Sequence, residues 1–323
     1  MKLEYCEPAN VGVNPASVDK LSDMFINGGI TANAMVMLRH GKIFCELYKS
    51  QWNRDNYQMV FSVTKSIVGI AAGIAVSDGL IAVNDSIISY FKDIVKEPID
   101  ENMKLMKIEH LLTMTSGKPA DGEMEKGEWK GEWHEYNNIL KNFLLNPIPN
   151  KPGEIFSYNT DGVDVLSQII EKASGIRFDK YVQERLFAPL GIENYKWDDE
   201  VDGIVNAGYG LHLHAKDLAK IGLLMLNGGK WNNVLLLDSA WIERSSSNLS
   251  NGGECGYGYL FWRQKPAKSY AAVGMDGQFC VIMPEQDMVI VLFYAKGKTL
   301  QTVWDIILPA LDSGKEKGGE YNA

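Results

Sequence analysis

The chain has 323 residues, 46% of them hydrophobic and 23% charged, and 32 basic against 41 acidic side chains leave a formal net charge of −9. This is the composition of a globular protein long enough for one large domain or two unequal ones, and its acidic balance excludes the electrostatic footprint of a nucleic-acid binder. No apolar run reaches the ~20 residues of a membrane span. The opening MKLEYCEPANVG lacks a basic region followed by an apolar one, so no secretory signal is read and a cytoplasmic protein is expected. Cys6, Cys45, Cys255 and Cys280 are dispersed, without the close spacing of a zinc site, and read as free thiols. The five histidines are scattered too; His212 and His214 share a strand face with nothing to complete a ligand set, so no metal or organic cofactor is implied.

Asn14-Pro15 opens a first helix, Asn as N-cap and Pro at its first position. The helix carries Val18, Leu21, Met24 and Phe25 inward and ends at Gly28-Gly29. AMVMLRHGKIFCELY then predicts a β-hairpin turning at His40-Gly41. A connecting loop, Trp52 to Val60, delivers the chain to FSVTKSIVGIAAGIAVSDG, an apolar helix from Phe61 that stops at Asp78-Gly79. IAVNDSIISYF leads to a short helix near Ile88–Phe91, and IEHLLTMTSG reads as another ending in a turn. From Lys118 to Trp133 the chain is rich in glycine and charge; this loop either covers a substrate or is a surface loop anchored by Trp129 and Trp133.

Helical patterns follow at Tyr136–Leu145, Gly162–Ala173, Phe178–Phe187 and Ala215–Leu226, and Asp238 caps a further helix through Arg244. The period then changes to two. GYGYLFW, GQFCVIM and MVIVLFY predict strands, the last two joined by a turn at Pro284-Glu285-Gln286-Asp287. A final amphipathic helix, Thr299 to Leu311, carries Val303, Ile306, Ile307 and Leu311, and a polar, frayed tail follows. The simplest assembly is α+β: an antiparallel sheet flanked by terminal helices, built from 1–60 and 235–312. Residues 61–234 form an inserted, mostly helical subdomain, and 313–323 a flexible tail. The Phe61–Gly79 helix lies at the seam, where ligand sites are favoured.

That helix carries the chemistry. Ser62 and Lys65 lie one turn apart at the front of a segment apolar on most sides, with Gly69 and Gly73 allowing close approach of other groups. A serine hydroxyl needs a base, and a lysine becomes one when burial or a nearby cation lowers its pKa. A helix N-terminus adds a backbone N–H that can face a developing oxyanion. Spacing alone decides nothing: Ser17 and Lys20 repeat it on a helix with an ordinary polar face. Local features leave a catalytic pair and an incidental buried pair both open.

Further motifs extend the set. PGEIFSYNTDG places Tyr158 just ahead of a helix, and YAAVGMDGQF places Ala272-Val273-Gly274 on a strand near the C-terminus. Together with the Ser62 helix, IEHLLTMTSG and GYGLHLHAKDLAKIGLLMLNGGKW, they resemble, over nearly the full chain, the serine β-lactamase-like family. This family includes class C β-lactamases, D-alanyl-D-alanine carboxypeptidases, related esterases and nylon-oligomer hydrolases. The resemblance implies that Ser62 is the acylated nucleophile and that Lys65 holds or removes its proton. It implies that Tyr158 acts as base in acylation and passes a proton to the leaving group, and that the backbones of Ser62 and Met275 form the oxyanion hole. Asn159, Thr160, Ala272 and Gly274 would line the substrate position; His110 is expected to be a packing residue.

Two positions depart from the family pattern. Thr160 stands where class C enzymes have Asn, and a threonine cannot offer both functions of an amide. Ala272-Val273-Gly274 replaces Lys-Thr-Gly or His-Thr-Gly, so the cation that engages a substrate carboxylate is missing. Losing such a charge-assisted bond costs about 1.5–3 kcal/mol. The expected function is therefore cleavage of a small-molecule ester or amide through an acyl-enzyme. A β-lactamase or D-Ala-D-Ala-type peptidase is the second reading, and a non-catalytic sensor module of the same fold the third. Nothing in the sequence specifies the oligomeric state, and no nucleic-acid or membrane partner is expected.

Overall fold

The computed structural model describes residues 3–121, 138–200, 202–266 and 268–312. The expected loop therefore lies outside the described residues from 122 onward, as does the tail from 313. Seven strands form the main sheet: β1 (Glu4–Tyr5), β2 (Ala34–Arg39), β3 (Lys42–Tyr48), β4 (Trp262–Arg263), β5 (Tyr270–Gly274), β6 (Gln278–Met283) and β7 (Met288–Phe293). Their spatial order is β1-β3-β2-β7-β6-β5-β4. Every pairing is antiparallel except that of the short β1 with β3. The two ends of the chain thus meet at the β2–β7 ladder, where Ala34 pairs with Phe293 and Arg39 with Met288. The hairpin turn falls at His40 and Gly41, both at positive φ (51° and 73°), as a two-residue hairpin turn requires.

Alternation gives the sheet two apolar faces. On one, Met35, Met37, Val281, Ile290 and Leu292 pack against the terminal helices α1 (Pro15–Asn27) and α6 (Thr299–Ile307), which bring Leu21, Phe25, Val303 and Ile307. Asn14 caps α1 by accepting the Ala16 N–H at 3.1 Å, and Pro309 halts the last helix short of Leu311. On the other face, Val36, Leu38, Cys280 and Val291 meet α2 (Val63–Ser77) and α5 (Ala215–Leu226). Between α2 and α5 in the sequence come α3 (Ile139–Leu145) and α4 (Asp161–Ser174), and α4 packs along α2.

Helix α2 is buried from Val63 through Ala75, which is why its sequence is apolar all round. Its glycines serve contact as expected: a Cβ at Gly69 would lie 3.1 Å from the Tyr259 carbonyl oxygen, and one at Gly73 2.6 Å from the Trp241 ring.

One expected strand is largely absent. In GYGYLFW only Trp262 joins the sheet, because the segment before it leaves strand geometry. Leu260 takes a positive φ of 58°, its N–H bonds the Leu112 carbonyl at 2.9 Å, and its carbonyl receives the Ser66 hydroxyl at 2.6 Å. The expected Phe178–Phe187 helix is regular to Val182 and then widens into a π-type turn over Gln183–Phe187.

Candidate active site

The chain enters α2 through a tight turn at Phe61, held at φ 47°, a costly conformation for a bulky residue. Ser62 follows at the N-cap, half-buried, and its hydroxyl makes no capping bond. The hydroxyl instead accepts a hydrogen bond from Lys65 Nζ at 3.2 Å, and it lies close enough to the phenol of Tyr158 to influence its ionisation. Lys65 is 2% exposed, and its ammonium group also donates to the Gly208 carbonyl at 2.8 Å. Burial lowers its pKa to about 8, against an upward pull from Asp121, Asp164 and Asp161. Tyr158 is pushed the other way. Burial raises its phenol to about 12, opposed by the Ser62 hydroxyl and reinforced by Asp121. The Lys65 ammonium lies 5.0 Å from the centroid of the Tyr158 ring, whose plane stacks on Trp262 at 5.7 Å.

The end of β5 closes the site from the sheet side. A Cβ at Gly274 would fall 2.3 Å from the Val60 carbonyl oxygen and 3.2 Å from the Ser62 backbone nitrogen, so only glycine allows this strand against Ser62. Met275 comes next in the chain, its side chain 64% exposed. Ala272, two residues back, is 3% exposed and presents only a methyl group.

Thr160 directs both its N–H and its hydroxyl to the Asp121 carboxylate, the former at 2.8 Å, while its methyl group packs where Gly208 has no side chain. The Asn159 amide is committed elsewhere: Nδ2 donates to Pro119 O at 2.8 Å and Oδ1 caps α4 by accepting the Gly162 N–H at 2.9 Å. Asp164, buried on α4, accepts the Ala207 N–H at 2.8 Å and so fixes the segment whose next carbonyl holds Lys65; burial raises its carboxyl well above the usual range.

Ser62, Lys65, Tyr158 and Gly274 thus meet at one point. Thr160 stands beside them through Asp121 and Gly208, whereas the Asn159 amide is turned to structural partners. His110 caps its own short helix, its Nδ1 accepting the Lys107 N–H at 3.1 Å; His212 pairs with Asp198 at 2.8 Å and His214 with Asp217 at 3.1 Å. Sequence reasoning missed Asp121, Asp164, Gly208 and Trp262. Of these only Asp164 left a trace, an acid among the apolar positions of an amphipathic helix.

A cavity of about 500 Å³ opens beside Tyr158, walled in part by Pro119, Ala120, Ile155 and Phe156. A larger one, about 590 Å³, lies at the opposite end of α2 against Gly73, Trp241 and Tyr259. The convergence of perturbed groups, rather than volume, marks the front of α2 as the candidate site.

The family model for beta-lactamase matches residues 18–304, most of the chain. The chain is 22% identical over 282 residues to the 6-aminohexanoate-dimer hydrolase of Paenarthrobacter ureafaciens, covering 80% of this chain and 71% of that protein. It is 24% identical over 276 residues to a Salmonella heidelberg protein provisionally named D-alanyl-D-alanine carboxypeptidase, covering 67% of this chain but only 64% of the relative. A solved Bacillus anthracis structure, provisionally named 6-aminohexanoate-dimer hydrolase, superposes with a TM-score of 0.74 at 20% identity, over 94% of this chain and 85% of the other. The chain belongs to the beta-lactamase family, and its hydrolase-named relatives mark it as a hydrolase of that family. Among the described residues no helix is long and apolar enough to cross a membrane.

Proposed function

We propose that the protein is a serine hydrolase that cleaves a small ester or amide through an acyl-enzyme on Ser62. The observation that carries this reading is the convergence on one hydroxyl of Lys65 Nζ, at 3.2 Å, and the Tyr158 phenol. In its neutral form Lys65 takes the proton as Ser62 Oγ attacks the carbonyl carbon. The negative charge that develops on the carbonyl oxygen is received by the Ser62 and Met275 N–H groups. Tyr158, whose raised pKa keeps it a neutral phenol, donates its proton to the leaving alkoxide or amine and recovers one from the Lys65 ammonium. Water then attacks the ester carbonyl by the same route in reverse, releasing the acid and free Ser62. Lys65 is thus the base, and Tyr158 the relay.

Substrate preference follows from the walls. Ala272 supplies no cation for a carboxylate, and the cavity beside Tyr158 sets the apolar Pro119, Ala120, Ile155 and Phe156 next to the polar Lys118, Asn150 and Ser157. A short-chain ester, or an amide without a carboxylate beside the scissile bond, fits better than a penicillin or a D-alanyl peptide. Four unpaired cysteines, two of them buried, support the cytoplasmic reading.

An active-site fluorophosphonate tests the assignment. It should label Ser62 alone, and p-nitrophenyl butyrate should give a burst that Ser62→Ala abolishes, with a loss of ~10³-fold or more in kcat. Ester turnover that survives in Ser62→Ala would sink the reading.

A further inference from the structure

Directly behind the proposed oxyanion position lies a side chain that the reaction above leaves unused. Gln278 opens β6 and pairs across the ladder with Gly274. Directly opposed residues present their side chains to the same face. On that face a Cβ at Gly274 would lie 3.1 Å from Gln278 Cβ and 2.3 Å from the Val60 carbonyl oxygen, with the Ser62 nitrogen at 3.2 Å. Gln278 therefore abuts the turn that carries the nucleophile. It is 0% exposed, and neither Nε2 nor Oε1 has a hydrogen-bond partner among the described residues.

A primary amide carries two donors and an acceptor, and leaving all of them buried and unpaired is destabilising. The Asn159 amide of the same site, by contrast, uses both of its ends. Methionine would fill a similar volume with no such cost. The unpaired amide also coincides with the strained Phe61, so two unfavourable features meet at one short turn. The acceptor this turn presents to β5 and β6 is the Val60 carbonyl, whose one backbone bond, from the Val63 N–H, is long at 3.2 Å.

We propose that Gln278 is a positioning residue of the oxyanion hole, its Nε2 donating to the Val60 carbonyl as charge develops on the substrate oxygen. The bond holds the Val60–Ser62 turn against β5 and so fixes the spacing of the Ser62 and Met275 N–H groups. Gln278 acts through that backbone and does not touch the substrate. A bond made only as the reaction proceeds raises kcat without tightening substrate binding. It also leaves the resting fold less stable than an apolar residue would. The proposal rests on the acyl-enzyme reading of Ser62.

Gln278→Met and Gln278→Leu test it through two readouts that a purely structural amide would move together. The expected result is an unchanged or higher Tm, a KM within twofold of wild type, and kcat and fluorophosphonate labelling rate both lowered tenfold or more. A Tm that falls along with kcat in both variants would overturn the proposal, since the amide would then be paired in the resting protein. Rates within twofold of wild type would overturn it equally. Wild-type labelling separates this failure from that of the parent reading. An unlabelled Ser62 in the wild type removes the acyl-enzyme and the Gln278 role together, whereas normal wild-type labelling with normal variant rates removes the Gln278 role alone.

Discussion

Helix α2 has two polar ends, and they are built on opposite plans. At the back, beside the larger cavity, the Tyr259 hydroxyl donates to Glu109 at 2.7 Å, and Arg244 both pairs with Glu109 and donates to the Tyr259 oxygen at 3.2 Å. Glu109 and Arg244 there neutralise one another. Burial raises a tyrosine to about 12 at both ends, Tyr259 behind and Tyr158 in front, but only the front holds a lysine driven down to about 8, with a strained Phe61 and an unpartnered amide beside it. The back end pairs its charged groups with one another, and the front end is the one proposed to react. Of these groups, Lys65 is the one brought close enough to neutral pH to exchange a proton there.

A matched pair of glycine substitutions is the strongest way to break this contrast. Gly274→Ala and Gly73→Ala both insert a methyl into occupied space, with closest approaches of 2.3 Å and 2.6 Å. Each is expected to cost about 1–3 kcal/mol in denaturant unfolding. Only Gly274→Ala displaces the Ser62 N–H, and it alone should lower kcat, by ~10²-fold, as misplaced catalytic groups do. Equal kinetic loss from Gly73→Ala would mean that the two ends of α2 are not functionally separate.

The pH profile sharpens the contrast further. Because burial favours the neutral amine of Lys65, and the neutral amine is the proposed base, kcat/KM should be low in acid and rise with pH, reaching half its plateau near pH 8. Asp121 is first among the carboxylates that hold the ammonium form in place, so Asp121→Asn should shift the rise to lower pH. A profile that ran flat from pH 6 to 9 would remove Lys65 as the base.

How far this was legible in the sequence depended on whether a role was carried within one segment or across several. Ser62 and Lys65 share a helix, but Ser17 and Lys20 share one too. What separates the pairs is burial, since α2 is apolar on every side whereas Lys20 lies on an exposed face. Tyr158 and Gly274 were recognisable because their neighbours matched a family pattern. Asp121 was not, because its role exists only where the fold lays it against the N–H and hydroxyl of Thr160. Trp262 was read as one more residue of a strand, and the positive φ of Leu260 that turns the chain beneath Tyr158 leaves no mark in the alternation of GYGYLFW. Gln278 occupied an ordinary inward position in GQFCVIM, and only the residue across the ladder makes it unusual. Strands β2, β3, β5, β6 and β7, by contrast, were visible from local pattern, whereas the short β1 was not expected and GYGYLFW supplied only Trp262 to the sheet.

The smallest effect is expected at the back of α2, and it tests whether full pairing there is worth much. Glu109→Gln removes the carboxylate that Arg244 and Tyr259 share. The side chains of Arg244 and Glu109 are 45% and 28% exposed, so water screens the pair and can replace either partner. The loss in unfolding free energy should stay within about 1 kcal/mol, as for other ion pairs open to solvent. With Ser62 at the far end of the helix, kcat/KM should be unchanged. A loss above about 3 kcal/mol would instead mark a desolvated network whose members cannot be replaced by water. The back end would then be a second site of stored electrostatic cost, and its quiet pairing could no longer be set against the front.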